Sequence, residues 1–189
     1  MRDGIWKDLP MSSSWRTLVR RCEREADRGE PAVHAAGRAL EIDAQQELSP
    51  AFLRQFTTLA RRSSEMLPNI GSFEHVASAR DIDGTGSPLE ESVLNSARRL
   101  EATGLSGDAL VQRALEQSLA LRSSARIRQI EEHCVVKAGS QARPIVQAAR
   151  RAVAAIEHSG MVRRILSGEG PMKLPRPSLD ADEDLTRPR

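Results

Sequence analysis

The sequence predicts an all-α protein, a single bundle of five or six helices followed by a disordered C-terminal tail. Three observations lead there. Every apolar pattern in the chain repeats at the 3.6-residue spacing of a helix. No stretch alternates in the manner of a half-buried strand. Only five of the 189 residues are aromatic (Trp6, Trp15, Phe52, Phe56 and Phe73) and tyrosine is absent, too little ring surface for a β-sandwich or a sugar site. The length suits one domain. The boundaries expected are an N-terminal arm over 1–12, a helical bundle over 13–167 and a Pro-rich, acidic, flexible tail over 168–189.

The first helix is expected from Ser13 or Ser14 to just before Gly29, with Trp15, Leu18, Val19 and Cys22 on one side. The second runs from about Pro31 to Leu48 on a weak stripe of Val33, Ala36, Leu40 and Ala44, with Gly37 inside it. The third opens at Ser49-Pro50, a cap followed by a proline at the first helical position. Phe52, Phe56, Leu59, Ser63 and Leu67 follow one face, and Pro68 stops it. Residues 68–88 read as loop, with one helical turn around Phe73–Ala79.

Ser87-Pro88-Leu89-Glu90 has capping-box spacing and opens a fourth helix carrying Leu89, Val93, Leu94, Ala97 and Leu100 inward. Gly104 suits the position just past its end. A long helix is expected from about Ser106 to Lys137, and Arg122-Ser123-Ser124 interrupts its stripe and marks a candidate bend. The last long helix is expected from Ser140 or Arg143 to Gly160, with Met161–Leu166 as a short capping segment. Leu59–Ser64 and Leu119–Ser124 share five of six residues, a chance echo in a chain rich in these types.

The tail begins at Gly168. It holds four prolines and the run Asp180-Ala181-Asp182-Glu183-Asp184, a composition that cannot bury a face. Trp6 and Lys7 precede no apolar run, so no signal peptide is expected. No stretch approaches the roughly 18–20 apolar residues of a membrane span. Cys22 and Cys134 lie far apart with no CxxC pattern, as in a reduced cytoplasmic protein. The 25 arginines against three lysines suggest a GC-rich bacterial source.

Charge is unevenly spread. Residues 1–110 carry 14 basic and 17 acidic side chains, residues 111–168 carry 10 and 4, and residues 169–189 carry 4 and 5. A basic stretch between acidic neighbours points to an anionic partner, against the alternative of a solvated helix face. The candidate binding residues are Arg122, Arg126, Arg128, Lys137, Arg143, Arg150, Arg151, Arg163 and Arg164. Arg122 and Arg126 are one turn apart, and Arg143 is seven and eight residues from Arg150 and Arg151, so each set shares a face. Two such helices side by side would make a groove for a phosphate backbone. No aromatic lies in 111–168, which argues against base stacking there.

Other motifs are weaker. Asp81-Ile82-Asp83-Gly84-Thr85 resembles the DxDGT signature of the haloacid-dehalogenase phosphatases, where the first carboxylate is nucleophile and the second acid. That resemblance would require a preceding buried strand, and Val76-Ala77-Ser78-Ala79-Arg80 is too short and polar for one. The same string half-fits a calcium loop through Asp81, Asp83, Thr85 and Gly86. Its twelfth position is Ser92 where a bidentate Glu is needed, and Pro88 sits at the eighth. A turn before a capped helix accounts for it. His133 and Cys134 are adjacent, so on a helix they point about 100° apart and make a poor metal pair. His34, His75 and His158 add no ligand spacing. There is no Gly-rich phosphate loop and no GxSxG.

The function expected is therefore that of a non-enzymatic accessory protein. It would contact a nucleic-acid backbone through the basic helical face, within a larger nucleoprotein assembly. Its partners would be the backbone and other subunits, with no cofactor, no metal and no membrane, and homo-oligomerisation is compatible with it. The alternative is a helical protein-interaction module (an adaptor, inhibitor or secretion partner) that meets an acidic protein surface and no nucleic acid.

Overall fold

The computed structural model describes residues 12–24, 30–63, 86–139, 143–155 and 158–173. These residues form seven α-helices and no strand, an all-α protein. They are α1 (Ser13–Arg24), α2 (Glu30–Glu47), α3 (Pro50–Ser63), α4 (Pro88–Ala102), α5 (Gly107–Ala138), α6 (Arg143–Ala154) and α7 (His158–Ser167). The helical turn expected near Phe73–Ala79, the Asp81–Thr85 string and tail residues 174–189 lie outside the described residues, as does the arm up to Met11.

α5 is the spine. Its 32 residues span about 48 Å at about 1.5 Å per residue. α3 and α4 pack on it, as do α6 and α7, while α2 packs against α1, α6 and α7 and touches α4 and α5. Arg122-Ser123-Ser124 does not break it. Leu110, Val111, Ala114, Leu115, Leu119, Ile127 and Ile130 keep helical register, and buried Ser118 and Ser123 fill the gaps. The Ser118 hydroxyl donates to the Ala114 carbonyl at 2.8 Å and lies 3.3 Å from the Ser96 hydroxyl. Ser123 donates to the Ala120 carbonyl at 2.9 Å. Satisfied this way, a serine can sit in a core stripe without breaking the helix.

The helix starts are tied together by one carboxylate. Ser87 caps α4 with the capping box its sequence announces: its hydroxyl accepts from the Glu90 N–H, and the Glu90 side chain accepts from the Ser87 N–H. The other oxygen of Glu90 accepts from the Ser49 N–H at 3.1 Å and the Ser49 hydroxyl at 3.2 Å. Ser49 Oγ in turn accepts from the Phe52 N–H, and the Ser87 hydroxyl donates to the Glu47 carbonyl. One buried glutamate thus joins the starts of α3 and α4, and Ser87 adds the end of α2.

α4 ends as expected. Gly104 adopts φ 85°, and the Gly104 and Leu105 N–H groups donate to the Glu101 and Leu100 carbonyls. This is the Schellman arrangement, which places a glycine in the left-handed region. Gly168, φ 71°, closes α7 the same way, with Gly168 and Glu169 donating to Ile165 and Arg164.

Two expectations need correction. The last long helix is two helices, α6 ending at Ala154 and α7 starting at His158, so Gly160 lies inside a helix and does not end one. The two pack differently, α6 on α1, α2 and α5 and α7 on α5 and α2. This split, with α7 longer than the expected cap, takes the count to seven among the described residues. The chain after Gly168 is also held as far as Lys173. The Met172 N–H donates to Glu41 at 2.7 Å, Gln45 donates to the Glu169 carbonyl at 2.9 Å, and His34 Nδ1 lies 3.4 Å from the Met172 sulfur. Residues 168–173 therefore strap back along α2.

Candidate functional site

The basic stretch must be read against α2, because α2 carries the carboxylates that meet it. Glu41 and Asp43 are buried and Glu47 is mostly so. Arg122 of α5 forms an ion pair with Glu47. One turn on, Arg126 Nε lies 3.9 Å from Asp43 Oδ2, and Asp43 also accepts from the indole N–H of Trp15 at 2.6 Å. Asp43 and Glu47 are four apart, as are Arg122 and Arg126, so antiparallel helices match them rung for rung. Arg164 of α7 pairs with Glu41, whose side chain is fully buried.

Burial lowers the Arg122 pKa from its ordinary value, the neighbouring Arg126 charge lowers it further, and Asp43 opposes both. A guanidinium lowered in this way still keeps its charge at neutral pH. The ladder is therefore an internal one, made of permanent cations on carboxylates of the same chain.

The nine basic candidates are thus divided. Arg122, Arg126 and Arg164 turn onto α2. Arg150 pairs with Glu131 across the α5–α6 surface. Arg128, Arg143, Arg151 and Arg163 are exposed. Lys137 lies in α5, its side chain outside the described residues. Arg122 and Arg126 are turned to carboxylates of α2, whereas Arg150 is turned to Glu131 of α5 and Arg143 and Arg151 are exposed.

A concave surface lies elsewhere, between α3 and the end of α7. It is a groove of about 660 Å³, lined by Leu48, Pro50, Leu53, Thr57, Ile165 and Leu166, with Arg54, Thr58 and Arg61 on the α3 side and Gln45 and residues 167–170 opposite. Leu166 is 41% exposed there. α3 and α7 contain Arg54, Arg61, Arg62, Arg163 and Arg164 and not one Asp or Glu. Arg54 and Arg62 are exposed, and Arg61 pairs with Asp108 at 3.0 Å. Such a surface offers an apolar floor with cations on its rim, which suits an acidic segment with apolar anchors.

Sequence reasoning missed Trp15, Glu41, Asp43 and Glu47 as a unit, and it missed the groove. One signal was present: acids at i and i+4 on a helix with a weak apolar stripe, matched by arginines at i and i+4 on the long helix. The groove has no local signature, because α3 and α7 are far apart in the sequence. Among the described residues no three His, Cys, Asp or Glu side chains are placed to hold a metal ion, and Cys22 is a buried free thiol. No helix in the described part is long and apolar enough to cross a membrane. Compared with known proteins, the chain matches no protein family, no curated relative and no solved structure.

Proposed function

We propose that this chain is a non-enzymatic helical protein-interaction module that receives an acidic, leucine-bearing segment of a partner in the α3–α7 groove. The arginine–carboxylate ladder carries the reading. It commits Arg122, Arg126 and Arg164 to Glu47, Asp43 and Glu41 of the same chain, whereas the groove offers an apolar floor with the exposed Arg54 on its rim. Those three guanidiniums could reach a phosphate backbone only by taking the cation away from buried or mostly buried carboxylates, which is costly.

The test is a polarisation titration of the full chain against a labelled helical peptide with leucines at i, i+3 and i+7 and glutamates between them. Binding that weakens roughly tenfold on Leu166→Asp or Arg54→Glu supports the groove, as expected for loss of one central contact. A parallel titration with non-specific duplex and single-stranded DNA and RNA at two salt concentrations addresses the alternative. Steeply salt-dependent binding that disappears on charge reversal of Arg128, Arg143, Arg151 and Arg163, with no peptide binding, would replace this reading by the nucleic-acid one.

A further inference from the structure

The α3–α7 groove has a complement in the chain's own sequence. Residues 179–185 read Leu-Asp-Ala-Asp-Glu-Asp-Leu, four carboxylates between two leucines. We propose that this run seats in the groove in cis and competes there with the partner segment, so that the module limits its own binding. The inference rests on the interaction reading above.

Charge and shape support it together. The run brings four negative charges to a rim bearing Arg54, with Arg62 further along the same helix, and its leucines match a floor of Leu48, Leu53 and Leu166. Nowhere else in the sequence do four acids fall within five residues.

Reach supports it as well. Glu169 lines the groove, and the described chain ends four residues later at Lys173. Four residues span at most about 14 Å, and the five residues 174–178 span up to about 17 Å. Leu179 can therefore return to the groove without disturbing the strap on α2. A tether this short gives an effective concentration on the order of millimolar. A cis segment with an intrinsic Kd near 0.1 mM would then hold the groove filled about nine-tenths of the time and weaken partner binding roughly tenfold.

Two measurements on the full chain decide it. The first is zero-length carbodiimide coupling of the Arg54→Lys variant, followed by peptide mapping of the monomer band. The expected product joins the amine at position 54 to a carboxylate of 180–184. Coupling only to Asp108 or Glu169, or only between two chains, would overturn the proposal.

The second compares the leucine–glutamate peptide on the unmodified chain and on a variant carrying Asp180→Asn, Asp182→Asn, Glu183→Gln and Asp184→Asn. About tenfold tighter binding by the neutralised chain is expected. Equal, measurable affinity would remove the cis competitor and leave the interaction reading standing. No peptide binding by either chain would remove the interaction reading, and the competition with it.

Discussion

The indole N–H of Trp15 donates to Asp43 Oδ2 at 2.6 Å where both side chains are cut off from solvent, Trp15 wholly and Asp43 all but 4%. A buried carboxylate needs every donor it has. Here the hydrogen bond comes from the α1 indole, and α5 adds the charge of the Arg126 guanidinium at ion-pair distance.

Trp15→Phe should therefore cost more than the lost ring volume. It removes the donor and leaves the Asp43 oxygen underpaired, a penalty of about 1–3 kcal/mol beyond the packing loss. Asp43→Asn with Trp15→Phe should restore part of it, since a neutral amide is cheaper to leave underpaired. Urea denaturation of the two single variants and the double variant checks this, and additive losses would show the two residues to be uncoupled.

The Arg122–Glu47 pair predicts a similar cycle with a different outcome. Both side chains are a little over one-fifth exposed, so solvent weakens the pair without removing it. Burial lowers the Arg122 pKa, which means the folded state holds this cation at a cost. The sign follows. A cation whose folded pKa lies below its unfolded value gains relative stability only as pH rises toward that unfolded value, far into the alkaline range for a guanidinium. No pH dependence from Arg122 is expected in the neutral range. Arg122→Met or Glu47→Gln alone should each cost roughly 1–2 kcal/mol, and the double substitution less than their sum, read as melting temperatures at constant pH.

Glu90→Ala should weaken two helix starts at once. Its carboxylate serves the Ser87 N–H, the Ser49 N–H and the Ser49 hydroxyl. At about 1 kcal/mol for each cap, a loss near 2 kcal/mol is expected. Ser87→Ala alone should cost about half that, because Ser49 keeps its partner. The midpoint of urea unfolding should fall with its slope unchanged.

Local chemistry made some of this visible in advance. Ser87, Pro88 and Glu90 specify a helix start by themselves, and Gly104 specifies its end, because capping needs only neighbours a few residues away. The long α5 emerged from its 3.6-residue stripe. What stayed hidden depends on distant pairing. Glu47 meets Arg122 across 75 positions and Glu41 meets Arg164 across 123. Neither appears in a hydropathy pattern, where Glu41 and Asp43 look like solvent-facing acids and the arginines like a basic face.

The strap over α2 yields the sharpest backbone prediction. Glu41 Oε2 accepts the Met172 N–H at 2.7 Å, and its other oxygen is taken by Arg164. The Met172 side chain also lies against α2, its terminal carbon 4.0 Å from where a Cβ on Gly37 would stand. Met172→Ala keeps the N–H and loses only the side-chain contact. Met172→Pro deletes the N–H as well, leaving a fully buried carboxylate one donor short. The proline variant should therefore be less stable than the alanine variant by about 1–3 kcal/mol. Trypsin should distinguish them too. With the strap seated, cleavage after Lys173 should precede any cut within α7. With the strap loosened, cleavage after Arg164, whose guanidinium shares Glu41 with the strap, should accelerate several-fold. Equal stability and equal cleavage order for both variants would mean that Glu41 draws its pairing from Arg164 alone and that the strap does not contribute to holding α7 on α2.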